Sequence, residues 1–157
     1  FKDNKIEMRQ GIYKNEFTKQ QETPKASVFA FYNGDCKYNL RNNLLLSMTS
    51  QILDLVYTEK VREDEGDTYG VYVGGTLQKY PKEKAILQII FDTAPEKKEK
   101  LMKIIFGEID NITKTGPSEA NLNKVKEYML KKHTEDLKEN SYWLGSIDEY
   151  LYTGMKR

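Results

Sequence analysis

Arg62 and Tyr69 are the side chains in this sequence best suited to act on a carbonyl group. They stand seven residues apart in Val61-Arg62-Glu63-Asp64-Glu65-Gly66-Asp67-Thr68-Tyr69-Gly70-Val71, on either side of a glycine-containing turn. A guanidinium and a phenol both donate hydrogen bonds, and neither is a base near neutral pH. Together they suit holding a carbonyl or the oxyanion that develops from it. The same residues also have a plainer reading. Arg62 could pair with Glu59 or Glu65 on the surface, an interaction worth about 1 kcal/mol or less.

The rest of a catalytic apparatus is missing from the chain. His133 is its one histidine, so neither H-x-x-E-H nor H-E-x-x-H can be built. It follows Met129 by four positions and reads as a packed or half-exposed side chain. Glu63, Asp64, Glu65 and Asp67 lack the alternation and closing glutamate of a calcium loop and read as a solvated acidic turn. Cys36 follows the turn Asn33-Gly34-Asp35 with no histidine near it in sequence, as expected of a partly buried thiol rather than a nucleophile. Gly74-Gly75 matches no phosphate-binding loop. Within a strand the pair marks a bulge or a close backbone approach, with an extended peptide passing nearby as the functional reading. Tyr142-Trp143 reads as core packing at a helix start.

The 157 residues fit one domain with one core. Charged residues make up 31% and balance to a formal net charge of +1. That gives no global field for nucleic acid, and Lys97-Lys98-Glu99-Lys100 reads as a solvated helix face. No apolar run reaches membrane-spanning length. A lone cysteine leaves the compartment open. The start at Phe1 has neither an initiator methionine nor a signal peptide, and the chain reads as a piece of a longer protein.

The elements that would position Arg62 and Tyr69 follow from periodicity. Residues 6 to 20 alternate loosely through Ile6, Met8, Ile12 and Phe17 and predict extended structure. Ala26 to Tyr32 predicts a strand. Leu40, Leu44, Met48, Ile52, Leu55 and Val56 predict one face of a helix ending near Arg62. Tyr69 to Leu77 and Ala85 to Phe91 read as strands. Thr93 and Glu96 have capping-box spacing, and Pro117 suits the first position of the next helix. A last helix is expected over Ser141 to Leu151. The fold class is therefore α+β, with an antiparallel-rich sheet covered on one face by helices in the order β-β-α-β-β-α-α-α.

The stretch from about Leu44 to Gly154 resembles the C-terminal-type domain of the pitrilysin/insulinase family of zinc peptidases, the inverzincins. The junction from Val61 to Val71 is similar to the family's R-E-x-x-G-x-x-Y. Phe91-Asp92-Thr93-Ala94-Pro95-Glu96, Gly116-Pro117-Ser118-Glu119 and Asn140-Ser141-Tyr142-Trp143-Leu144 follow in the family's order. The last is most similar to bacterial single-chain, multi-domain members. The resemblance implies a parent of four similar domains closing as a clamshell around a peptide substrate. It implies zinc held in the first domain, by H-x-x-E-H and a downstream glutamate that this chain does not contain. It also implies that Arg62 and Tyr69 reach the scissile backbone from the opposite half, so that closure is a condition for activity. The family domain is longer, which implies a missing terminal helix and strand and a risk of self-association.

These readings make the chain, residues 1–157, a single non-zinc domain of a zinc metallopeptidase, inactive alone. Its partners would be a peptide substrate and the zinc-bearing domain of the same parent, and its compartment the periplasm or cell envelope. The alternative is a non-catalytic relative that binds peptides or proteins. A third reading is a helix-on-sheet interaction domain with an accidental match.

Overall fold

In the computed structural model, residues 4–65 and 70–155 are described, without the side chains of residues 61–65. Strands β1 (Ala26–Asp35), β2 (Val71–Gln78) and β3 (Lys84–Thr93) form an antiparallel sheet in the order β1-β3-β2. Helix α1 (Leu40–Glu65) connects β1 to β2. A single 3-10 turn, Pro95–Lys97, leads into α2 (Lys98–Thr115), followed by α3 (Glu119–Asp136) and α4 (Asn140–Thr153). The class and the helix-covered antiparallel sheet are those expected from the sequence.

Strand alternation explains which face the helices cover. Val28 and Ala30 on β1, Val71 and Val73 on β2, and Leu87 on β3 turn inward. They meet a core of Leu53 and Tyr57 from α1, Ile89 and Phe91 from β3, and Leu101 and Ile105 from α2. Each such fully buried side chain contributes roughly 1.5–3 kcal/mol relative to exposure. α3 packs against α1 and buries Val125.

Four expectations need correction. Residues 6–20 form no strand: their alternation finds no ladder partner, and Ile6, Ile12 and Phe17 are exposed. Exposed side-chain ion pairs, Glu7 to Lys82 and Glu16 to Lys98, are contacts with the rest of the fold that the structure shows for it, each weak because solvent screens it. The observed order is therefore β-α-β-β-α-α-α among the described residues. On α1, the row from Leu40 reaches the core at Ile52, but Leu40 and Leu44 are exposed, and Leu53 and Tyr57, outside that row, are the fully buried pair. The helix is apolar on more than one side, and a single row cannot say which side meets the sheet.

The capping positions also differ. Thr93 does not cap α2, because the 3-10 turn intervenes and the N-cap, Lys97, makes no side-chain bond. Ser118 caps α3, its hydroxyl accepting from the Asn121 N–H at 3.2 Å, which leaves Pro117 just outside the helix. Gly116 ends α2 at φ 75°, a conformation costly for other residues, and its N–H donates to the Ile112 carbonyl at 2.9 Å. Finally, Trp143, expected in core packing at the start of the last helix, is exposed, as are Ile147, Tyr150 and Leu151 on the same helix. The Trp143 indole instead donates to the Leu137 carbonyl at 2.9 Å, closing the end of α3.

Candidate functional site

The candidate site is the junction between the end of α1 and the start of β2. Arg62 lies in the last turn of α1 by its backbone, and its side chain is outside the described residues. Tyr69 lies outside them altogether, as does Asp67; the side chains of Glu63, Asp64 and Glu65 do too. What is placed are the two ends that carry the junction.

The helical end is braced from two sides. Tyr57 is fully buried and its hydroxyl donates to the Ile105 carbonyl at 3.0 Å, joining α1 to α2. Burial, with Tyr32 and Glu108 adding to it, pushes the Tyr57 phenol far above its ordinary range, so it remains a neutral donor. One turn on, Lys60 pairs with Glu108 on α2, and Glu59 with Lys124 on α3 at 3.5 Å. The backbone that carries Arg62 is thus tied to two other helices. The strand end is equally defined: Val71 lies opposite Phe91, which lies opposite Val28, at the far end of the ladder from Lys84.

A close helix-to-strand approach fixes the same two elements to each other. A Cβ on Gly75 would meet Ser50 Oγ at 2.5 Å and Leu46 Cγ at 2.7 Å. The β2–β3 register runs unbroken through Gly74 and Gly75, so the pair marks a close approach and not a bulge. Sequence reading missed the Tyr57 brace. Its signal was the i, i+4 spacing of Leu53 and Tyr57, which puts both on one face.

The other candidates fall elsewhere. His133 is exposed, its ring edge-on to Tyr142 at 5.8 Å between centroids. Cys36 is half-buried, its thiol 3.9 Å from the Lys37 carbonyl. Among the described residues no three His, Cys, Asp or Glu side chains gather closely enough to hold a metal ion. With one histidine in the chain, its residues do not fit a zinc site. Clefts among the described residues include one between residues 19–25 and Thr93–Ala94 and one over Leu40, Arg41, Leu44 and Leu45. Among the described residues no helix is long and apolar enough to cross a membrane.

Comparison with known proteins agrees with this fold. The chain is 24% identical over 107 residues, 65% of its length, to a zinc protease PQQL-like protein of Arabidopsis thaliana, of which the match covers 11%. Its fold superposes on the periplasmic protease PqqL of Escherichia coli with a TM-score of 0.72 at 19% identity, covering 83% of this chain and 15% of that one. It superposes on a variant of the ferredoxin protease FusC, bound to Arabidopsis ferredoxin, with a TM-score of 0.69 at 14% identity, covering 83% and 14%. A peptidase M16 inactive domain from Pseudomonas fluorescens gives a TM-score of 0.59 at 23% identity, covering 71% and 27%. The chain thus spans a small part of the relatives it matches. Residues 8–129, more than half of the chain, match the family described as the peptidase M16 inactive domain, and the chain belongs to that family.

Proposed function

We propose that residues 1–157 form one non-zinc, substrate-contacting domain of a zinc-dependent metallopeptidase. In this reading Arg62 and Tyr69 donate hydrogen bonds to the backbone of a bound peptide at its scissile region. Tyr69 donates to the developing oxyanion and Arg62 to a neighbouring carbonyl. Zinc belongs to another domain of the parent, since this chain does not fit it. By likeness to the periplasmic PqqL, the periplasm or cell envelope is the proposed compartment.

The observation that carries the reading is the braced end of α1. Tyr57 bonded to Ile105, and Lys60 to Glu108, tie α1 to α2 just before the helical turn that contains Arg62 in its backbone. Donors help a transition state only if they are already in position when charge develops. Membership of the peptidase M16 inactive-domain family supports a peptide as the substrate class.

The test is peptide hydrolysis by the full-length parent and by this chain alone, each with and without a chelator. The proposal expects activity in the parent only, abolished by the chelator and restored by zinc. A folded, zinc-loaded parent that hydrolyses no peptide would transfer the chain to the non-catalytic, peptide-binding reading.

A further inference from the structure

We propose that Glu108 on α2 is a positioning residue for the junction, and that its ion pair with Lys60 sets where the last turns of α1 carry position 62. This rests on the reading of the chain as a substrate-contacting domain, and it names a residue outside the junction motif on which that site depends.

The need for such a residue follows from how α1 is held. The helix is seated on the sheet at Gly75, where Ser50 and Leu46 leave no room for a Cβ. Arg62 stands twelve residues beyond Ser50 in the same helix, a lever of about 18 Å. A tilt of about 3° at Ser50 displaces position 62 by about 1 Å. Misplacement on that scale can slow a reaction about 10²-fold. The start of β2 is fixed separately, by the pairing of Val71 with Phe91. The two ends of the junction therefore keep their relation only if the far end of α1 has its own anchor.

Helix α2 supplies that anchor at two positions on one side of α1. Residues 57 and 60 lie about 60° apart around the helix. The Tyr57 hydroxyl donates to the Ile105 carbonyl at 3.0 Å, and the Lys60 ammonium pairs with Glu108, one turn on from Ile105. A single contact leaves the helix free to pivot about it. A second contact, one turn nearer the junction, removes that freedom.

The surroundings of Glu108 suit it to this task. Its side chain is 13% exposed, against 53% for Glu59, whose pair with Lys124 at 3.5 Å ties the same stretch to α3. Solvent screens the enclosed carboxylate less, so its pair is the stiffer of the two. The Tyr57 phenol also feels its charge: burial first, then Tyr32 and Glu108, push that phenol above its ordinary range. Glu108 therefore sits beside both of the α1 anchors.

Steady-state hydrolysis by the full-length parent tests the assignment, with thermal unfolding of each variant to check that the fold is kept. Glu108→Gln keeps the shape, removes the charge and should lower kcat/KM about tenfold. Lys60→Gln breaks the same pair from its more exposed side and should give the same loss. Exchanging the two, Lys60→Glu with Glu108→Lys, should bring kcat/KM back to within about threefold of the unaltered enzyme. In an Arg62→Ala background, Glu108→Gln should lower kcat/KM by no more than about twofold, because the group that it positions is gone. Undiminished kcat/KM in folded Glu108→Gln or Lys60→Gln enzyme overturns the assignment. So does an equal loss with and without Arg62, which would mean that Glu108 acts elsewhere, and so does a folded exchange that recovers nothing. Full turnover in Arg62→Ala itself removes the substrate-contacting role of Arg62 and this inference with it. A loss there, with Glu108→Gln unaffected, removes this inference alone.

Discussion

The Tyr57 hydroxyl, in the C-terminal half of α1, donates to the Ile105 carbonyl of α2 at 3.0 Å in a fully buried contact. That bond fixes the axial position of α1 against α2 five residues before Arg62. Tyr57→Phe keeps the ring and removes the donor. It should cost about 1 kcal/mol in urea unfolding, whereas Tyr57→Ala should cost about 3–5 kcal/mol through the cavity it leaves. Equal stability of Tyr57→Phe and the parent sequence would show that the ring alone supplies the brace.

Gly75 sets how closely α1 approaches β2. Gly75→Ala places a methyl within 2.5 Å of Ser50 Oγ and 2.7 Å of Leu46 Cγ. Neither atom is at the far end of a long side chain, so helix and strand must separate. A loss of roughly 1–3 kcal/mol is expected. Ser50→Ala should recover part of it, read as a coupling energy in a double-mutant cycle. Strict additivity would contradict the contact.

Asp92 accepts hydrogen bonds from Lys25 Nζ at 2.8 Å and Ser27 Oγ at 2.6 Å. The Lys25 bond first, then the Ser27 bond, holds its carboxyl below the ordinary range. A carboxyl held low in the folded state stabilises above its unfolded pKa of about 3.9 and loses that contribution as pH falls through the folded value. Asp92→Asn should therefore be less stable than the parent sequence at pH 7, by about 1 kcal/mol or less for this part-exposed pair. The gap should shrink once pH falls below about 4. A gap constant from neutral to acid pH would remove the ionic part of the argument.

Ser118 begins α3 through its bond to the Asn121 N–H. Ser118→Ala should cost about 1 kcal/mol, while Ser118→Asp should be near neutral, both read by thermal unfolding. No loss in the Ala variant would mean that packing alone starts the helix.

Much of this arrangement was legible in the sequence. Ala26 to Tyr32, with its β-branched and aromatic residues, gave the core of β1, and the period change at Leu40 gave α1. The motif from Val61 to Val71 pointed to the family, and residues 8–129 match it. Other features depend on partners that periodicity cannot name. Ile6, Ile12 and Phe17 alternate like a strand but meet no sheet edge. The α1 row from Leu40 followed one of several apolar sides, and Tyr57 became interpretable only once α2 lay against it. Thr93 and Glu96 had capping spacing, but Pro95 starts a 3-10 turn before the helix. Trp143 has core-like chemistry and uses its N–H on the Leu137 carbonyl instead.

The most direct measurement for the oxyanion reading is steady-state hydrolysis by the full-length parent carrying Tyr69→Phe, beside its unfolding curve. The account predicts a fall in kcat of about 10²–10³-fold, with stability unchanged within about 0.5 kcal/mol. Arg62→Ala should lower kcat/KM in the same assay. Undiminished turnover in both variants would contradict the assignment of this junction to the substrate backbone.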